Sequence, residues 1–322
     1  MLTTRFTEIL GIDHPIILAP MGSATSASFA AAASNAGALG SIGSLNRTPE
    51  DVLRDLKIIG DLTERPFAVN HIPPVLNEAT FQATLDLRPA IVSFALGDPG
   101  DLVQRAHEAG SLAMMQVTTV AQAEEAAERG VDFIVAQGGE AGGYGGVIGA
   151  MALVPQVVDA VAPLPVVAAG GIFDGRGVAA ALMLGAVAVN LGTRFLASKE
   201  APVDEGWQQA ILSARSEDAI KAEALNAINP LPGTVGYGTV LRALRSPFLE
   251  QWNSNLEEAA RDRERLRAEM AASIREGRRN ETIAGAGQTA GAIREVLPVA
   301  EIIRSLVEEA EAALRASGSL AR

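Results

Sequence analysis

Short, nearly continuous apolar runs recur between residues 15 and 195, and amphipathic or alanine-rich stretches separate them. The runs cover 15–20, 38–43, 67–72, 90–96, 112–117, 133–137, 165–169 and 188–191. The stretches between them, at 26–35, 49–59, 99–109, 120–129, 150–161 and 175–184, predict helices. Most begin at a Ser, Thr, Asp or Pro signal, and Gly37, Gly110 and Gly130 supply stops. Runs without polar alternation are buried on both faces, as in a parallel sheet. Eight such strand–helix units predict an α/β fold, a (β/α)8 TIM barrel rather than an open doubly wound sheet. Polar and glycine residues cluster just after the strands, which in a barrel share the rim where sites are built.

The rhythm changes between residues 201 and 288, where the pattern offers no strand. Helices are expected at 203–213, 216–225 and 249–277, around an irregular piece at 229–238. Residues 257–279 carry dense charge of both signs and predict a solvated helix. An apolar period returns over 290–316. The expected organisation is a barrel from 1–200 and 288–322, with a helical insertion, 201–287, after strand eight.

Composition narrows the classes of partner. Hydrophobic residues make up 48% of the 322, enough for a packed core. The 32 glycines exceed the usual share of roughly 7% and predict close backbone approaches. A net charge of −12 argues against nucleic acid and against an anionic membrane surface. With no cysteine, disulfides and thiol chemistry are excluded. The first residues lack a signal-peptide layout, and no apolar run reaches the ~20 residues of a membrane span, so a cytoplasmic location is expected. A homo-oligomer is compatible with the sequence.

The densest chemistry lies in Val135-Ala-Gln-Gly-Gly-Glu-Ala-Gly-Gly-Tyr-Gly-Gly146. Glycines after a buried strand let the backbone approach a ligand closely. Glu140 is a candidate base, but a carboxylate in such a loop more often accepts backbone N–H bonds, and that role is expected. A second glycine pair, Gly170–Gly171, ends one strand, and Gly192–Thr193 end the next. Either pair alone reads equally well as turn chemistry; together, at consecutive strand ends, they favour a phosphate. His14 and His107 read as structural or exposed. His71 follows Asn70 at a strand end and is a second candidate base. Three scattered histidines have no metal-site spacing. Tyr237 is a candidate to reach over the site from the insertion. Arg242 and Arg245, read at a helix start, are expected to meet carboxylate partners rather than an anionic substrate.

Five pieces occur in register: Ala19-Pro-Met-Gly22, Val69-Asn70, Gln137-Gly-Gly-Glu-Ala-Gly-Gly143, Ala168-Ala-Gly-Gly-Ile172 and Gly192-Thr-Arg-Phe195. Together they resemble the nitronate monooxygenase family, also called 2-nitropropane dioxygenases. The resemblance implies a barrel that binds FMN without a covalent bond. It sets Pro20, Met21 and Gly22 beside the isoalloxazine ring, and Asn70 and Gln116 at its polar edge. Gln137, Gly138 and Gly143 fall in the cofactor-binding segment, and Gly170, Gly171, Gly192 and Thr193 would hold the phosphate. Read without the resemblance, Met21 is core filler, Asn70 a turn cap and Gln116 a rim residue. The family pattern carries His where this chain has Tyr144. Unperturbed tyrosine, with a pKa near ~10, is a poor base but a good hydrogen-bond donor; its alternative role is packing over the flavin.

The resemblance implies oxidation of alkyl nitronates, a small-molecule substrate, with O2. The second reading is an FMN reductase using NAD(P)H and acting on quinones or an enoyl thioester. The third is a lyase or isomerase that binds a sugar phosphate at Gly170–Gly171 without flavin.

Overall fold

The computed structural model describes residues 2–231 and 239–318. Its strands are β1 (Ile16–Leu18), β2 (Gly40–Gly43), β3 (Phe67–His71), β4 (Ile91–Phe94), β5 (Leu112–Val117), β6 (Phe133–Gln137), β7 (Gly143–Gly145), β8 (Val166–Ala169), β9 (Ala188–Leu191), β10 (Ala219–Lys221) and β11 (Val240–Leu244). Eight of them form one parallel sheet in the order β1-β9-β8-β6-β5-β4-β3-β2. The amide of Leu18 donates to Leu39 and that of Leu39 to Ile16, which joins β1 to β2 and closes the ring. The expected (β/α)8 barrel is therefore observed, with β8 and β9 as its seventh and eighth strands.

Alternation along each strand divides two cores. Ile17, Ala68, Ile91, Met114, Phe133, Val135, Val167 and Ala188 fill the barrel, and Phe6, Leu10 and Ile12 from the N-terminal segment plug its base. The opposite faces, including Ile16, Val92, Phe94, Ile134, Ala168 and Val189, pack against the helices. Burying both faces is why these strands read as unbroken apolar runs. Helix starts follow local capping: Ser26, Thr119 and Asp174 each accept from the amide three residues on. The stops at Gly37, Gly110 and Gly130 adopt positive φ. The C-terminal helix, Val299–Ser317, packs on the helix Gly175–Met183, and Glu309 accepts from the Gly175 amide at 2.9 Å.

The region 201–287 departs from the expectation. It is not purely helical: β10 and β11 pair antiparallel, and β11 pairs with β7 from the glycine segment to make a second, three-stranded sheet. The expected helix over 216–225 resolves into a short 3-10 turn, β10 and the helix Glu223–Ile228. Arg242 lies on β11, not at a helix start. These strands are short and half buried, so they carry neither an apolar run nor a clear alternation. The expected long helix over 249–277 is three helices, Pro247–Asn253, Leu256–Arg261 and Arg263–Arg275. Leu249, Trp252, Ala259 and Leu266 share one cluster. A single straight helix, at about 1.5 Å per residue, would carry them apart. Tyr237 and residues 233–238 lie outside the described residues.

Candidate functional site

The inward positions at the C-terminal ends of the strands change from apolar to polar. Asn70, Ser93, Gln116, Gln137 and Asn190 occupy them, in register with inward neighbours such as Met114, Val135 and Ala169. Asn70 donates to the Ser93 carbonyl at 3.2 Å and to its hydroxyl at 3.1 Å. Gln137 and Asn190 are each only 7% exposed, and their side-chain oxygens, Oε1 and Oδ1, have no hydrogen-bond partner among the described residues. Both flank Ala169, the register partner of each. A buried acceptor without a donor costs roughly 1–3 kcal/mol.

Glycine backbone lines one side of the mouth. Gly170 and Gly171 both adopt positive φ at the end of β8, and a Cβ on Gly170 would stand 2.8 Å from the Gly138 carbonyl. Gly192 ends β9 beside the Met21 sulfur, at 3.2 Å from its own would-be Cβ. The Thr193 hydroxyl accepts from the Gly287 amide at 2.9 Å, which fixes its oxygen and leaves its proton to donate. Pro20, Met21 and Gly22 follow β1 on the same rim. Together these strand ends supply the small, amide-rich edge that an anionic group requires.

Glu140 takes the structural role expected of it. Both carboxylate oxygens lie 3.0 Å from the amide of Ala150, the first residue of the helix Ala150–Val161. Its own carbonyl accepts from Gln288 at 2.9 Å. Arg245 also meets carboxylates, Asp218 and Glu250. Arg242 instead donates to the carbonyls of Gly139 and Ala219.

The two candidate catalytic side chains fare differently. His71 is not brought into the mouth. Asn70 faces inward, so the next residue faces outward. His71 is 1% exposed between β3 and the helix Glu78–Leu87, bonded through Nε2 to the Thr84 hydroxyl at 2.9 Å and edge-on to Phe81. Burial pushes its pKa down to about 4. Tyr144 lies on β7, which crosses the rim: a Cβ on its neighbour Gly145 would stand 3.0 Å from Gln137 Oε1. Tyr144 belongs to one apolar cluster with Ile72, Ala95 and Leu96 of the rim and with Ala222 and Leu225 of the 201–287 region. Burial pushes the phenol up to about 12, so it keeps its proton at neutral pH.

Sequence reasoning missed Asn190 and Ser93. Each is the one polar residue near the end of an apolar strand run, and that was a usable signal. Among the described residues no group of three His, Asp or Glu could hold a metal ion, and no helix is long and apolar enough to cross a membrane.

Fold and rim together define a (β/α)8-barrel protein with a glycine-edged mouth beneath a small antiparallel sheet. The sequence profile described as Nitronate monooxygenase matches residues 3–80 and 75–309, and the chain belongs to that family. It is 33% identical to the nitronate monooxygenase of Pseudomonas aeruginosa, over 96% of this chain and 99% of that protein. It is 35% identical to a (3aS,4S,5R,7aS)-5-hydroxy-7a-methyl-1-oxo-octahydro-1H-indene-4-carboxyl-CoA dehydrogenase of Mycobacterium tuberculosis over 66% of this chain, and spans only 61% of that relative's length. The solved structure of FabK from Thermotoga maritima matches with a TM-score of 0.89 at 31% identity, covering 99% of this chain and 100% of that one. These families are flavoenzymes in general.

Proposed function

We propose that this protein is an FMN-dependent oxidoreductase that oxidises alkyl nitronates with O2. The observation that carries the reading is the pair of buried, unpartnered oxygens, Gln137 Oε1 and Asn190 Oδ1, below a glycine-edged mouth. A flat heterocycle with one ring N–H, a hydroxylated side chain and a phosphate tail brings donors for both oxygens and an anion for the glycine edge. Gly170, Gly171, Gly192 and Thr193 would hold the phosphate. Pro20, Met21 and Gly22 would border the ring, and Asn70, Gln116, Gln137 and Asn190 its polar edge, with Gly138 and Gly143 presenting backbone. When bound, FMN would supply the electron-accepting ring, and the protein positions and polarises the reactants.

The side chains of this chain favour a substrate that arrives ionised. His71 faces away from the mouth, Glu140 is tied to the Ala150 amide, and Tyr144 holds its proton. None of the three is poised to take a proton from a neutral nitroalkane. A nitronate needs no such step, and a phenol that stays protonated suits hydrogen bonding to its oxygen. Replacing Tyr144 by Phe is expected to lower kcat/KM for propyl nitronate about tenfold or more, as for a lost hydrogen bond to a charged group. FMN affinity should not change. An unchanged kcat/KM would leave the ring with packing alone.

The decisive experiment is anaerobic mixing of the FMN-loaded protein with propyl nitronate and, separately, with NADH and NADPH. Bleaching of the flavin band by the nitronate alone is expected. Bleaching only by a pyridine nucleotide would replace this reading with an NAD(P)H-dependent reductase. A colourless protein that cannot be reconstituted with FMN would remove both.

A further inference from the structure

We propose that Lys221 is a positioning residue of the barrel mouth: its ammonium fastens the strand carrying Tyr144 over the site. Lys221 ends β10 in the insertion, and its Nζ donates to the carbonyls of Gly145 at 3.1 Å, Gly146 at 2.9 Å and Val240 at 3.2 Å. Three donors meet three acceptors, which uses the full capacity of an ammonium. The backbone it holds is close to the floor. A Cβ on Gly145 would lie 3.0 Å from Gln137 Oε1, and one on Gly146 would lie 2.9 Å from Thr118 Cβ.

The strand has few other means of attachment. It is three residues long, and two are glycines, which contribute no side-chain packing. What remains is the ladder to β11 and the ring of Tyr144. Arg242 does the same work at the other end of the glycine segment, with Nε and Nη2 on the Gly139 carbonyl at 3.2 and 2.7 Å. Two cations from the insertion thus grip the segment at both ends. Burial and the neighbouring Arg242 charge lower the Lys221 ammonium to about 8, partly opposed by Glu223, so it remains charged at pH 7. The Lys221 carbonyl accepts from Asn253, which anchors the lysine's own backbone.

The inference rests on reading this mouth as the substrate site. It is tested with Lys221→Ala at pH 7, in the full-length protein, by two independent measurements. Hydrogen–deuterium exchange of residues 143–146 should quicken about tenfold or more, the effect of losing charge-assisted hydrogen bonds. KM for propyl nitronate should rise by a similar factor while kcat stays near the wild-type value. Propylammonium, which restores the missing N–H donors, should reverse both effects; tetramethylammonium at equal ionic strength should not. Unchanged exchange, or a loosening that propylammonium fails to reverse, overturns the proposal. If the protein does not use nitronates at all, the exchange arm still decides it.

Discussion

Gly170→Ala is expected to raise the dissociation constant of FMN at least about 30-fold, equivalent to roughly 2 kcal/mol. Two separate penalties meet at this residue. Its φ of +87° lies where a side chain is disfavoured, by about 1–2 kcal/mol. Its Cβ would also stand 2.8 Å from the Gly138 carbonyl and 3.2 Å from the Ala141 amide, both backbone atoms that cannot rotate aside. Relief requires the end of β8 to part from the end of β6, where the Gly138 amide donates to the Ala169 carbonyl at 2.8 Å. That movement displaces the glycine amides from the place where the phosphate is to sit. Gly110→Ala is the control. It has nearly the same φ, +90°, but a Cβ there meets nothing within 4 Å, and it lies between a helix and the following strand, away from the mouth. It should lose a similar backbone increment of stability and keep FMN affinity. FMN titration of both variants by flavin fluorescence, beside thermal unfolding, separates the two costs. Equal affinities in the two variants would remove Gly170 from the phosphate site.

His71 is expected to make the fold acid-labile by about 3 kcal/mol. Its folded pKa of about 4 lies below its ordinary value of 6.5, because burial penalises the imidazolium. Between those values the unfolded chain binds a proton that the folded one does not. Stability from this group is therefore present above pH 6.5 and is lost as pH falls towards 4. A shift of this size converts at about 1.36 kcal/mol per pH unit. Urea unfolding of the wild type and of His71→Gln from pH 7.5 to pH 4 provides the check. Glutamine cannot take the charge, so the stability gap between the two proteins should narrow as the pH falls. A gap independent of pH would mean that the folded imidazole takes a proton as readily as the unfolded one, contrary to its burial against Phe81 and Thr84.

The fate of His71 shows how far a sequence reading extends. Asn70 and His71 are adjacent at a strand end, and both are chemically suited to a rim. A strand cannot send both to one side, so placing Asn70 inward already commits His71 to the helix layer. The same alternation, applied to Ala188–Leu191, would have singled out Asn190. Tyr144 could not be placed by any local rule. Its strand pairs Leu241 with Tyr144 and Arg242 with Gly143, and the partner strand lies far along the chain. The grip of Lys221 on Gly145 and Gly146 is equally non-local.

The sequence by itself determined the barrel, because strands buried on both faces must be apolar throughout and helices between them must be capped. It also determined the glycine positions at the ends of β6, β8 and β9, since close backbone approach excludes a Cβ wherever the chain folds. Only the tertiary structure decided the second sheet, the place of Tyr144 within it, and the two cations that hold the glycine segment. Those depend on pairings between distant, short and half-buried segments, where neither hydrophobic period nor capping chemistry leaves a mark in the order of residues.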